Sequence, residues 1–137
     1  MTEAQAVAIA ELVNVQNQLT VRYTPDRVLA EKDNYIIRIR GDAVIAVVEV
    51  KSVQWYQCEI SHLSVDPRAQ GAGVGKSLVE EAEDRGREVG GRIAQCTIRV
   101  GNAASEAVFT KRGFTATVTF RNARTGNEVR VYQKVIG

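Results

Sequence analysis

A glycine-rich segment at 70–76, with the sequence Gln-Gly-Ala-Gly-Val-Gly-Lys, separates two stretches with different hydrophobic periods. Residues 54–65 have the composition of a strand, and apolar residues after the glycines recur at helical spacing. The first amides of a helix lack partners within the helix and carry the positive end of its dipole, while glycines let a phosphate approach the backbone. The segment therefore predicts a phosphate-binding turn, and a tight connection without a ligand is the alternative.

Two widespread phosphate-binding motifs do not match this turn. A P-loop would need a glycine five positions before Gly75, and position 70 is glutamine. The dinucleotide fingerprint is Gly-x-Gly-x-x-Gly, whereas Gly71, Gly73 and Gly75 form Gly-x-Gly-x-Gly. Both motifs are therefore rejected.

Charge balance and the scarcity of metal ligands exclude several classes of function. Lysine and arginine together (18) against aspartate and glutamate (16) give a net charge of +2, which is too weak to indicate nucleic-acid binding. Cys58 and Cys96 are too few for a disulfide framework, and with the single histidine, His62, they are too few for a metal site. We therefore expect a reduced, metal-free protein without a nucleic-acid partner.

Length and composition favour one globular domain that spans residues 1–137. The chain is 45% hydrophobic and 25% charged, which is average for such domains. No apolar run approaches the roughly 18–20 residues that cross a bilayer. The first positive side chain is Arg22, which is not the pattern of a secretory leader. These features predict a cytoplasmic protein that does not associate with membranes.

Hydrophobic periods, caps and turn residues predict the element order ααβββαβαββ. Thr2 and Gln5 have capping-box spacing before a first helix, and Thr24-Pro25 begins a second, short helix. The remaining expected elements are two strands (35–40 and 43–50) joined by Gly41-Asp42, a strand at 54–65, a helix ending at Gly90-Gly91, a strand at 92–100, a helix at 102–112, and strands beginning at 114 and 129. The strand–helix–strand unit around the glycine turn should be a right-handed parallel crossover, which makes the sheet mixed.

Two segments resemble the motifs of one protein superfamily. Residues 59–67 (Glu-Ile-Ser-His-Leu-Ser-Val-Asp-Pro), followed by Gln70-x-x-Gly73-x-Gly75, resemble the central motif of the GNAT superfamily of N-acetyltransferases. That motif is a Leu-x-Val-x-Pro strand that leads into (Arg/Gln)-x-x-Gly-x-(Gly/Ala). Residues 102–114 resemble the second motif, in which an asparagine after a strand opens a helix that ends in Gly-Phe. The resemblance extends from about residue 35 to the end and implies an α/β (α+β) fold, the GNAT fold: a mixed central sheet of about six strands flanked by about four helices, here with a shortened N-terminal region.

The resemblance also implies an activity and its substrates. It implies an N-acetyltransferase that moves an acetyl group from acetyl-CoA, as cosubstrate and without a metal, to a primary amine by direct attack in a ternary complex. The amine acceptor would be a small molecule or a peptide, and a homodimer is left open. The alternative is a catalytically weak or inactive acyl-CoA-binding or regulatory module. Phe109 supports this alternative because it stands where the family commonly has a tyrosine as general acid.

The cofactor site follows from the same resemblance. The amides around the glycine turn should receive the pyrophosphate of coenzyme A, and the strands near Val65 and Val100 should separate so that the pantetheine arm can pair with their free backbone groups. The residues expected to contact the coenzyme are Leu63, Val65, Gln70, Gly71, Gly73, Val74, Gly75, Lys76, Asn102, Ser105 and Phe109.

Catalysis requires a base, because an alkyl amine with a pKa of about 10.4 is only about one part in 10³ neutral at pH 7. Glu59 lies where many family members keep a glutamate and is the candidate base. His62 is the competitor, since its intrinsic pKa suits the role. In an unbulged strand His62 would lie on the face opposite Glu59, and a bulge would reverse this. The backbone amide of Leu63 completes the expected catalytic set by holding the thioester oxygen.

Overall fold

The computed structural model describes residues 1–17, 19 and 21–137. Four helices and six strands occur in these residues, together with single 3₁₀ turns at Lys32–Asn34 and Pro67–Ala69. The elements are α1 (Glu3–Asn17), α2 (Pro25–Ala30), β1 (Tyr35–Arg40), β2 (Ala43–Gln54), β3 (Gln57–Val65), α3 (Val74–Glu88), β4 (Ile93–Arg99), α4 (Ala103–Lys111), β5 (Thr115–Arg121) and β6 (Glu128–Val135).

The six strands form one sheet in the order β1-β2-β3-β4-β6-β5. β3 and β4 are parallel and all other neighbours are antiparallel. The helix α3 connects the two parallel strands, as expected for a crossover unit. This arrangement confirms the mixed six-stranded sheet with four helices.

Helices cover both faces of the sheet, and each face has its own apolar core. α3 packs on one face against β1, β2 and β3, and α4 packs beside α3. The core there includes Leu78, Val79 and Ala82 of α3 and Phe109 of α4. On the other face, α1 contributes Ala6, Ile9, Ala10 and Val13 to a second core that also contains Val28 of α2 and Val47 of β2.

The helix caps predicted from the sequence are present. The Gln5 amide donates to Thr2 Oγ1, and the Thr2 amide donates to Gln5 Oε1. The Thr24 side chain accepts from the Arg27 amide, with Pro25 in the first turn of α2. Each cap satisfies amides that the helix itself leaves unpaired.

Two details of the strands differ from expectation. The strand predicted at 54–65 begins only at Gln57, because Gln54 still belongs to β2 and pairs with Gln57 across a two-residue loop. The alternation at 114–120 does produce a strand, but every residue of β5 is exposed, and only Phe114, just before the strand, is buried. β5 is the outer strand of the sheet, and no helix covers it. No helix in the described residues is both long and apolar enough to cross a bilayer.

Close packing of α3 on β3 makes Gly86 a sharp test of this fold. A Cβ at position 86 would lie 2.7 Å from Cys58 Sγ and 3.1 Å from Ile136 Cδ1. We expect Gly86→Ala to lower the free energy of unfolding by about 1–3 kcal/mol through overpacking. Urea denaturation measures this change.

The clash predicts a coupling between the two positions. In a Cys58→Ala background the sulfur is absent, so Gly86→Ala should cost clearly less than in the wild type. An uncrowded helical position would instead gain up to about 1 kcal/mol from the same replacement. A stabilising Gly86→Ala, or an equal cost in both backgrounds, would contradict the described packing.

Candidate active site

The parallel strands β3 and β4 pair over only three positions, from Gln57 opposite Ile93 to Glu59 opposite Gln95. Beyond this point β3 continues with β2, and β4 continues with β6. No strand pairing in the described residues joins the two strands further along, so they diverge as expected. Their facing backbone groups border a cleft.

A cavity of about 470 Å³ occupies one side of this divergence. It contains most of the residues predicted to contact the coenzyme. The predicted residues among its lining are Leu63, Val65, Gln70, Gly71, Gly73, Val74, Gly75, Lys76, Asn102 and Ser105. The sequence motifs at the end of β3, the start of α3 and the start of α4 therefore meet at one site.

The glycine turn presents backbone rather than side chains to this cavity. Gly71 and Gly73 have φ angles of +85° and +78°, which L side chains rarely adopt, and a Cβ at either would project into open space. Gly73 precedes α3 without a side-chain cap, which leaves the first helical amides available for an anion. The side-chain amide of Gln70 donates to the Val65 carbonyl (3.1 Å) and ties the turn to the end of β3.

A second cavity of about 240 Å³ is lined by both diverging strands, β3 and β4. Its lining is more polar and includes His62, Thr97 and Arg99, with the side chains of Asn122 and Asn127 from the segment between β5 and β6. Three residues line both cavities: Leu63, Asn102 and Ser105. The Asn102 side chain accepts from the Ser105 amide and so caps α4 at the point where the two cavities meet.

β3 contains a bulge at the candidate site. Between the pairs Glu49–Ser61 and Val47–Ser64, two steps along β2 oppose three steps along β3. His62 takes up the extra residue with a φ of +54°. The bulge turns His62 toward Tyr23 and Glu49, on the face that α1 and α2 cover. Of the two placements considered for His62, the structure shows the one that a bulge produces.

The surroundings of His62 include two residues that the sequence analysis missed. His62 Nδ1 lies 3.1 Å from Tyr23 Oη and 3.5 Å from Glu49 Oε2, and Tyr23 Oη donates to the same carboxylate oxygen over 3.1 Å. Glu49 is 1% exposed. Burial alone would raise its pKa, but the adjacent His62 and Lys51 side chains outweigh this and hold the pKa at about 2. The available signal was a carboxylate inside the apolar run 44–50.

Glu59 lies at the last parallel pair and lines neither cavity. Its Oε2 accepts from Gln95 Nε2 (3.3 Å), and Gln95 Oε1 accepts from Gln133 Nε2 (2.7 Å). Burial raises the pKa of Glu59 to about 7, and the hydrogen bond from Gln95 offsets this only in part. A carboxyl group with this pKa can exchange a proton near neutral pH.

A family model for the acetyltransferase (GNAT) family matches residues 5–114 of this chain. The chain belongs to the GNAT family. GNAT enzymes are acetyltransferases that use acetyl-CoA and acetylate amines, so the family predicted from the two motifs is confirmed.

Solved structures of acetyltransferases show the same fold. The chain is similar to Ard1 from Thermoplasma volcanium, with 17% identity over 98% of this chain and 93% of that chain and a TM-score of 0.85. It is also similar to yncA from Salmonella typhimurium, whose structure contains its cofactor acetyl-CoA (20% identity, 100% and 91% covered, TM-score 0.83). A third similar structure is the ribosomal-protein-alanine N-acetyltransferase from Brucella melitensis, with 20% identity over 98% of this chain and 96% of that chain and a TM-score of 0.81. A comparison with curated proteins gives no match.

Phe109 differs in position from the other residues predicted to contact the coenzyme in this GNAT chain. It lines the second cavity and not the first. Its side chain is 3% exposed and packs edge-on against Phe114, with ring centroids 5.1 Å apart. Both cysteines are buried free thiols.

The raised pKa of Glu59 predicts a pH-dependent cost to stability. Because the folded-state pKa of about 7 exceeds the ordinary value of 4.5, ionisation opposes folding. The cost is absent below about pH 4.5, grows as the pH rises and is complete above about pH 7. Glu59→Gln should therefore gain stability over the wild type between pH 5 and 8, reaching about 1–3 kcal/mol.

Urea denaturation at several pH values measures this difference. The exposed Glu88 provides the matched control, since Glu88→Gln should show no comparable trend with pH. A constant difference between Glu59→Gln and the wild type from pH 5 to 8 would contradict the raised pKa.

Proposed function

We propose that the protein transfers an acetyl group from acetyl-CoA to a primary amine by direct attack in a ternary complex. The observation that carries this proposal is the meeting of two cavities at Leu63, Asn102 and Ser105. A thioester entering from the glycine-turn side and an amine entering from the other side would meet there. Holding both reactants in one site removes most of the entropic cost of a two-molecule reaction.

The residues of the first cavity fit coenzyme A. The open amides at the start of α3 suit a pyrophosphate, and Lys76 adds a positive charge beside them. The unpaired edge of β3 at Leu63 and Val65 lines this cavity, and the unpaired edge of β4 lines the second cavity. Both edges suit the amides of the pantetheine arm, which can bind like a short strand. A bound thioester would present its carbonyl at the point where the strands diverge.

The chemistry releases one proton overall. An ammonium substrate gives a proton to a base, and the neutral nitrogen attacks the thioester carbonyl carbon. A C–N bond forms and the C–S bond breaks, with the sulfur leaving as a thiolate that takes up one proton. The product nitrogen then loses its second proton. The backbone amide of Leu63 is proposed to hold the carbonyl oxygen while it carries negative charge.

Two side chains are candidates for the base. Keeping an alkyl amine protonated at pH 7 adds roughly 4–5 kcal/mol to the barrier, so the base is the principal catalytic need. Glu59 has a suitable pKa of about 7 but lines neither cavity, so it would act through water. His62 lines the second cavity, where the amine would bind. Of the two, His62 could accept the proton of the amine directly, without an intervening water molecule.

The departing thiolate needs little protonation by a general acid. A thiol pKa near 8.5, by analogy with cysteine, means that the sulfur leaves readily without full protonation. Phe109 has no proton to give, and Tyr132 is buried in the core on the α3 face. The hydroxyl of Ser105, which lines both cavities, or a water molecule can supply what is needed.

Coenzyme binding is tested by Gly73→Val. The side chain would enter open space in the first cavity and block the close approach of the pyrophosphate. We expect acetyl-CoA affinity to fall at least tenfold, or about 1.4 kcal/mol, measured by calorimetry.

Gly41 is the matched control for this change. It also has a positive φ (+61°) and open space around its Cβ, but it lies in the β1–β2 turn. Gly41→Val should therefore carry similar backbone strain without loss of affinity. Unchanged affinity in folded Gly73→Val would contradict the assigned coenzyme site.

Turnover by a Phe109→Tyr variant separates an enzyme from a binding module. If the thiolate leaves without strong acid catalysis, kcat should rise by no more than about tenfold. The assay follows acetyl-CoA-dependent thiol release across a panel of small amines and peptides. A gain on the order of 10³ would show that the wild type lacks essential acid catalysis. Tight coenzyme binding without transfer to any amine would favour the binding module.

A further inference from the structure

We propose that Glu49 and Tyr23 are positioning residues that hold His62 with a proton on Nδ1, so that Nε2 is the atom that accepts the proton of the amine. This inference rests on the proposed function, because it assigns the base within that reaction. It also gives a role to a buried carboxylate that the sheet itself does not require.

The geometry places the three polar groups in direct contact. Glu49 Oε2 lies 3.1 Å from Tyr23 Oη and 3.5 Å from His62 Nδ1, and Tyr23 Oη lies 3.1 Å from that same nitrogen. Glu49 and Tyr23 are buried, whereas 28% of the His62 side chain is exposed. Nδ1 therefore points inward, and Nε2 has no hydrogen-bond partner among the described residues.

The number of protons that Glu49 and Tyr23 carry determines the tautomer of His62. Glu49, with its low pKa, is a carboxylate and can only accept hydrogen bonds. Burial and the nearby Glu49 carboxylate raise the pKa of Tyr23, so its phenol keeps a single proton, which it donates to Glu49. If Nδ1 carried no proton, its lone pair would face Tyr23 Oη and Glu49 Oε2 with no hydrogen to bridge them. A proton on Nδ1 satisfies the triad of Glu49, Tyr23 and His62 and leaves the lone pair on Nε2.

Charged groups around the triad keep it in place. Lys51 Nζ lies 2.9 Å from Glu49 Oε1, which leaves Oε2 for Tyr23 and His62. The guanidinium of Arg27 lies 4.0 Å from the centre of the Tyr23 ring.

Other titratable groups complete this environment. Glu31 lies 3.5 Å from the Lys51 ammonium, the phenol of Tyr35 lies within the electrostatic influence of Glu49, and Arg99 lines the same cavity as His62. Glu59 lies on the face of β3 that also presents His62.

The carboxylate has a defined effect on the reaction. When Nε2 takes a proton, the imidazole becomes a cation, and Glu49 stabilises it across Nδ1–H. The same contact fixes the ring orientation, so that Nε2 stays directed to the cavity. Removing the charge of Glu49 should therefore change both the rate and the tautomer of His62.

The sole histidine in the chain allows a direct test without turnover. The ¹⁵N NMR spectrum of the folded protein should contain one imidazole, with the neutral form protonated at Nδ1. In Glu49→Gln, whose side chain can donate as well as accept, a larger share of the neutral imidazole should carry its proton on Nε2. A neutral imidazole protonated at Nε2 would overturn the proposal, whether or not the protein proves to be an acetyltransferase.

Kinetics provides the second test. Glu49→Gln should lower kcat/KM by about 10–100-fold, with the loss in kcat and with acetyl-CoA affinity unchanged. Tyr23→Phe should lower kcat/KM by about 3–10-fold and keeps the test available if Glu49→Gln does not fold. In a His62→Gln background, neither substitution should reduce the rate further.

Glu83 supplies the matched control. It is also fully buried and charge-paired, with Arg112 and Lys134, but it belongs to α3 on the other face of the sheet. Glu83→Gln should reduce stability without lowering kcat/KM or changing the tautomer of His62. Equal losses for Glu49→Gln in the presence and absence of His62 would overturn the positioning role. Absence of acetyl transfer by the wild-type protein would instead refute the proposed function.

Discussion

The early end of pairing between β3 and β4 is the constraint on which the rest of the structure depends. After Glu59 and Gln95 each strand keeps only its outer partner, so a continuous sheet is opened at its centre. Opening a sheet exposes backbone groups that would otherwise be paired, and a ligand or water must satisfy them. Apolar side chains from α3 and α4, Val74 and Val108, pack against the core beside Leu63 and Val65 and line the gap. The open site is therefore part of the packed structure.

Two glutamates near the opening show how surroundings decide the chemistry of identical groups. Glu59 has only an amide donor, from Gln95, to offset its burial, so its pKa rises to about 7. Glu49 is almost fully enclosed, yet contacts with Lys51 and His62 hold its pKa at about 2. One group can therefore change protonation near neutral pH, and the other remains a fixed negative charge.

Local patterns sufficed for most elements and for the residues that line the first cavity. Caps, glycines and alternation depend on neighbours in sequence, which is why the helix starts and the glycine turn were predictable. The bulge at His62 was not, because it depends on the register between β2 and β3, where unequal numbers of residues oppose each other. Contact of His62 with Tyr23, 39 residues away, likewise exists only in the folded chain. The full exposure of β5 depends on which helices reach the sheet edge.

The proposed reaction has unequal needs at its two ends, and the protein is built accordingly. Phe109, which stands where the family commonly has its general acid, packs against Phe114, and a thiolate needs little help to depart. At the attacking end, an ammonium must lose a proton before any bond can form. The bulge directs His62 to this end, and the buried Glu49 stands behind it. Because the end of β3–β4 pairing and the bulge both lie in β3, the proposed coenzyme cleft and the proposed proton acceptor are neighbours along one strand.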